Sequence, residues 1–147
     1  MTLREKLNAK NYSKVYVENV PTEVLEMIKG EGIEILDDIS SNPMSFVVTA
    51  GYDKEDFEKS LINWIGNISD DPLVWLCYPK KSSKKYKSEL SRETMWDILG
   101  SYNMEPVRQI AIDEDWSAIR YRMVNKIKSL TRTNAATREG KNRIKSQ

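Results

Sequence analysis

The chain has no histidine and a single cysteine, Cys77. Without imidazole there is no Ser-His or Cys-His nucleophile pair and no histidine-ligated metal centre, so neither a catalytic set nor a metal site is expected. A lone cysteine closes no internal disulfide, which points to a reducing compartment, read here as the cytoplasm. No apolar run approaches the roughly 20 residues of a membrane helix. The opening Met1-Thr2-Leu3-Arg4-Glu5-Lys6 lacks the apolar segment of a secretory signal. Glycine is scarce, 6 residues in 147, and none follows the first predicted strand, where a dinucleotide-binding fold makes its tight turn. Chemistry carried by carboxylate, lysine or tyrosine side chains stays open.

What is present suits a globular protein. With 39% hydrophobic and 31% charged residues over 147 positions, one domain can bury a core without staples. The net charge of +1 hides an asymmetry. Residues 1–78 carry 7 Lys/Arg and 14 Asp/Glu, and residues 79–147 carry 16 and 8. Either the two halves attract each other, or the basic half meets an acidic macromolecule.

Along the chain, a polar helix or arm over 1–12 precedes a strand, Lys14 to Val20, rich in β-branched and aromatic residues. Pro21 suits a first helical turn, and Val24, Leu25 and Ile28 give that helix its apolar stripe. Short strands follow at Ile33–Leu36 and Ser45–Ala50. Asp53 caps a helix whose buried face is Phe57, Leu61, Trp64, Ile65 and Ile68. Asp70-Asp71-Pro72 ends it. Leu73 to Tyr78 reads as a central strand covered on both faces. Ser88 or Ser91 caps a helix using Met95, Ile98 and Leu99, and Trp64, Trp75 and Trp96 fall at core positions. Val107–Ile112 and Trp116–Val124 form a hairpin closed by Asp113-Glu114-Asp115. The α/β domain occupies 1–125, and 126–147 is a basic C-terminal extension, partly helical and loosely docked. Alternating strands and helices imply a three-layer Rossmann-like α/β fold around a mostly parallel sheet of about six strands.

Trp75-Leu76-Cys77-Tyr78-Pro79-Lys80 and Asp113-Glu114-Asp115-Trp116-Ser117-Ala118-Ile119-Arg120 carry a further pattern. It resembles a bacterial family of short proteins of unknown function that join a tryptophan-rich strand ending in Tyr/Trp-Pro-Lys to an Asp-x-x-Trp-Ser-x-x-Arg segment. The resemblance spans residues 14–122. It implies a shortened S-adenosylmethionine-dependent methyltransferase fold that keeps the closing hairpin, with strands in the order 2-1-3-4-6-5 and strand 6 antiparallel. The chain departs from such enzymes at Glu18-Asn19-Val20-Pro21, where glycine would let the backbone take positive φ and approach a cofactor. No cofactor is therefore expected. An acid for an adenosine ribose would be sought at Asp37 or Asp38.

Candidate ligand contacts gather beyond the strand ends. Lys80, Lys81, Lys84 and Lys85, with Ser82 and Ser83, make a loop suited to a phosphate or carboxylate, with Tyr78 before it and Arg92 after it. The same loop also reads as a solvated connection, and without glycines it is no P-loop. Arg120 needs a partner inside a sheet. Asp113 or Asp115 supplies a carboxylate that fixes the hairpin beside Trp116 and Ser117, or the guanidinium faces a bound anion. Cys77, in an apolar strand, reads as an inert buried thiol. Three functions follow. The first is a non-enzymatic binding or regulatory module on a cofactor-free frame. The second is an enzyme, methyltransferase-like or acting on an anionic small molecule. The third is nucleic-acid binding by the basic C-terminal half; no membrane partner is expected.

Overall fold

Six strands and five α-helices are seen in the computed structural model, which describes residues 2–29, 32–36, 43–130, 132 and 134–145. The strands are β1 (Lys14–Glu18), β2 (Glu34–Leu36), β3 (Met44–Ala50), β4 (Ile68–Pro79), β5 (Met104–Ala111) and β6 (Trp116–Met123). The helices are α1 (Leu3–Lys6), α2 (Thr22–Lys29), α3 (Lys54–Trp64), α4 (Arg92–Met95) and α5 (Arg138–Lys145). One sheet runs in the order β2-β1-β3-β4-β6-β5. Strands β1 to β4 are parallel to one another, and β6 runs antiparallel to both its neighbours. This is the Rossmann-like arrangement expected.

Two apolar layers sandwich the sheet. On one face α1 and α2 bring Leu3, Val24 and Ile28 onto Phe46, Trp75, Cys77, Trp116 and Ala118. On the other, α3 and the α4 region bring Phe57, Leu61, Trp64 and Met95 onto Val47, Leu76, Tyr78 and Tyr121. Alternation along β4 decides the assignment, Trp75 and Cys77 pointing one way and Leu76 and Tyr78 the other. The Trp75 indole donates to the Leu7 carbonyl at 3.0 Å, tying the N-terminal arm to the centre of the sheet.

Several elements differ from expectation. Strand β4 begins at Ile68, because Met44 pairs with Ile68 while Phe46 pairs with Leu73. The extra residues between form a bulge, where Pro72 removes no needed ladder donor. Helix α4 lasts only four residues. Ser91 and Thr94 cap it reciprocally, but the Tyr121 hydroxyl donates to the Met95 carbonyl, and the chain tightens into turns. Trp96 is only partly buried, with Arg92 and Arg132 over its ring at 5.6 Å and 5.2 Å. The C-terminal segment is anchored rather than loosely docked. Glu105, 0% exposed, accepts from the N–H groups of Ala136 and Thr137, the Thr137 hydroxyl and Arg132. Gly140 lies so close to that carboxylate that a Cβ there would collide with it. Among the described residues no helix is long and apolar enough to cross a membrane.

Candidate functional site: an aromatic clasp and a neighbouring cleft

The winding of the sheet reverses between β1 and β3, and ligands of open α/β sheets sit beyond the carboxyl ends of strands at such a point. The chain leaving β1 turns there through Asn19, at φ 57°. The expectation that this bend is too stiff for positive φ is corrected: asparagine, with a short polar side chain, occupies the left-handed region that glycine usually supplies. Pro21 follows, and its carbonyl accepts from the N–H groups of Val24 and Leu25 at 3.0 Å and 2.9 Å, starting α2. Glu18 turns aside, accepting from the Tyr16 hydroxyl at 2.8 Å and from Asn63 of α3 at 2.6 Å. Asp37 and Asp38 lie outside the described residues.

The first turn of α2 carries Glu23, and side chains from three other segments gather around it. Its carboxylate accepts from the Tyr86 hydroxyl and, at 3.3 Å, from the Trp116 indole N–H, with the Lys85 ammonium 3.5 Å away. The rings above it pack on one another. Tyr86 and Trp116 have centroids 5.2 Å apart, and Tyr52 lies 5.5 Å from each. Such tilted and edge-on contacts suit the ring quadrupoles. The Tyr86 hydrogen bond is the main reason the Glu23 carboxyl falls from 4.5 to about 2, aided by its own backbone N–H at the helix start. Lys85 is held charged by Tyr86 and Glu23, while burial raises the Tyr52 phenol. The chain's own side chains thus cover the first turn of α2.

The lysine-serine loop is pinned to the hairpin turn. The Lys80 N–H donates to the Asp115 carbonyl at 2.8 Å. Ser83 Oγ donates to the Asp115 carboxylate at 2.7 Å and accepts from the N–H groups of Lys85 and Tyr86. These bonds use Ser83 to build the loop that delivers Tyr86. Lys81 and Ser82 are exposed. Tyr78 is buried, accepts from Gln109 at 2.7 Å and lies opposite Ser117; burial raises its phenol. Arg92 stacks on Trp96. The candidates therefore do not converge, since Tyr78 is on the α3–α4 face of the sheet and Arg120 on the other. The expected pairing of Arg120 with Asp113 or Asp115 is also corrected. Asp113 accepts from the N–H groups of Asp115 and Trp116, both at 2.8 Å, and Asp115 holds Ser83. Arg120 stands four residues up the strand from that turn, about 13 Å at strand rise. Cys77 is fully buried, and desolvation pushes its thiol up to about 12.

Beside the clasp lies a half-open cleft of about 610 Å³, between the β3–α3 turn and the segment before α4. Tyr52 separates the two, presenting one edge to the clasp and lining the cleft with Lys54, Lys87, Ser88, Leu90 and Thr94. Its rim is fixed locally. Asp53 caps α3 by accepting from the Asp56 N–H at 2.9 Å, Asp56 accepts in return from the Tyr52 N–H at 2.8 Å, and Ser88 donates to the Tyr52 carbonyl at 2.7 Å. Lys54, Lys87 and Thr94 were not singled out in the sequence. The local signals were the expected Asp53 and Ser88 caps, which say where helices start but not what faces them.

A scan of protein-family models and a search of curated proteins each find no match to this chain. Among solved structures, the N-methyltransferase NodS from Bradyrhizobium japonicum WM9 in complex with S-adenosyl-L-homocysteine is similar at 13% identity and TM-score 0.49, over 83% of both chains. A SAM-dependent methyltransferase from Aquifex aeolicus is similar at 14% identity and TM-score 0.45, over 76% of this chain and 69% of that one. At that level the likeness concerns the layout of strands and helices and nothing chemical.

Proposed function

We propose that this chain is a binding module on a methyltransferase-like α/β frame, in which aromatic side chains close the customary cofactor crevice and ligand binding moves to the cleft behind Tyr52. The observation that carries this reading is the convergence of Tyr52, Tyr86 and Trp116 on Glu23 at the first turn of α2. Anions are drawn to helix N-termini; here the helix brings its own carboxylate, which is already ionised and hydrogen-bonded. A donor entering this crevice would displace Tyr86 and Trp116 from Glu23, losing two hydrogen bonds to a partly exposed carboxylate at about 0.5–1.5 kcal/mol each. The neighbouring cleft has the volume of a small-molecule site. An aromatic ring, the hydroxyls of Ser88 and Thr94, two lysines and the carboxylates of Asp53 and Glu89 line it and suit a small polar ligand with one flat or apolar part.

A second reading, a methyltransferase-type enzyme, is favoured by one observation. Asn19 already holds the left-handed turn that a cofactor loop uses, so withdrawal of Tyr86 would open a crevice of the right form. Calorimetry with S-adenosylmethionine, S-adenosylhomocysteine and adenine nucleotides separates the two. The module reading expects no heat with the wild type. Micromolar binding to the wild type, lost when Trp116 or Asn19 is altered, would establish the enzyme reading instead.

A further inference from the structure

The clasp and its cleft leave Arg120 unexplained. Alternation along β6 sends Trp116, Ala118, Arg120 and Arg122 to the α1–α2 face. The first two are buried under the helices, and the arginines continue past that apolar cover. The strand register sets Arg120 directly opposite Arg108 of β5. Like charges directly opposite in an antiparallel pair repel, with Cβ atoms only about 5 Å apart. The carboxylate nearest this group, Asp71, is taken in bidentate fashion by Arg122, at 3.2 Å and 3.3 Å. Arg120 makes no ion pair among the described residues, and its Nε is buried with no acceptor. Burial disfavours its charge first, and Arg122 and Arg108 add to that, while Tyr12 and Asp71 oppose it. A guanidinium cannot escape this conflict by losing its proton. A half-buried, half-satisfied arginine facing a second arginine lacks an anion.

We propose that Arg108 and Arg120 form an oxyanion site on the α1–α2 face of the β5–β6 ribbon, and that the group it takes is a phosphate. Two guanidinium forks offer more donors than the two oxygens of a carboxylate can use, and a phosphate carries charge to match both. Arg122 stays on Asp71 and shapes one side of the site without contributing free charge. The phosphate belongs either to a small free molecule or to a polynucleotide backbone running along the basic C-terminal half, and the two sources share this chemistry.

The test follows the ¹H–¹⁵N signal of Arg120 Nε in the full chain during titration with inorganic phosphate, with chloride keeping the ionic strength constant. In parallel, the anisotropy of a short labelled DNA duplex reports backbone phosphate. Arg108→Gln, a change on the exposed edge strand, is the probe variant, with its melting temperature confirming the fold; Arg120→Lys keeps the charge and removes the fork. A saturable shift of the Arg120 signal in the wild type, with the apparent affinity weakened about tenfold or more in Arg108→Gln, supports the site with a small phosphate as ligand. Duplex binding weakened to the same degree in both variants supports it with a backbone phosphate as ligand. An Arg120 signal unmoved by tens of millimolar phosphate, together with duplex binding that is absent or the same in Arg108→Gln, overturns it.

Discussion

At the scale of single residues, the telling side chain is Glu23. Read locally it is an acid in a first helical turn, complementing the helix dipole and needing nothing else. Its partners lie 63 and 93 positions further along, at Tyr86 and Trp116, and no pattern within a window of sequence joins them. Tyr86→Phe keeps the ring contacts with Tyr52 and Trp116 and removes only the donor to Glu23. It is expected to lower the unfolding free energy by about 1–3 kcal/mol, read from the urea midpoint at neutral pH; an unchanged midpoint would mean the hydrogen bond contributes nothing. Asn19 teaches the opposite lesson. The missing glycine was legible, yet it did not exclude positive φ, because asparagine meets the same steric demand. Arg120 was legible as a residue in need of a partner. Its partner was misassigned because Asp113 is consumed by its own turn and Asp115 by Ser83 of the lysine-serine loop.

At the scale of elements, legibility followed the strength of the apolar pattern. Strands β1, β3 and β4 and helix α3 were readable from runs and spacing, since each buries a stripe or both faces. Helix α4 was overestimated because local spacing does not show how it ends: the Met95 carbonyl accepts from the Tyr121 hydroxyl and from the Ile98 N–H of a tighter turn. The C-terminal segment was underestimated for a similar reason. Its composition is basic and polar, but one buried acid on a strand, Glu105, satisfies two of its backbone N–H groups, a hydroxyl and an arginine. Glu105→Ala leaves all four donors without their acceptor. It is expected to destabilise the protein by about 2–3 kcal/mol and to make residues 132–145 cleavable by trypsin while the sheet stays intact. Equal proteolytic resistance in wild type and variant would show that α5 is held by something else.

At the scale of the whole molecule, four connections that are distant in sequence meet over the carboxyl ends of the strands. Helix α2 brings Glu23, the β3–α3 turn Tyr52, the loop after β4 Lys85 and Tyr86, and the hairpin Trp116. The strand order was expected through a family resemblance and is observed; the clasp on Glu23 was not foreseen, because it exists only once the sheet has assembled. The Glu23 carboxyl reports on that clasp. Its carboxyl sits at about 2 in the folded chain against 4.5 ordinarily. The clasp therefore contributes stability that is fully present above about 4.5 and is lost as pH falls through about 2. The direct measurement is a ¹³C titration of the Glu23 carboxyl in the intact protein. A closed clasp leaves the carboxylate still essentially ionised at pH 4.5, where an unperturbed glutamate is half protonated; a Glu23 found half protonated there would mean that the clasp does not close.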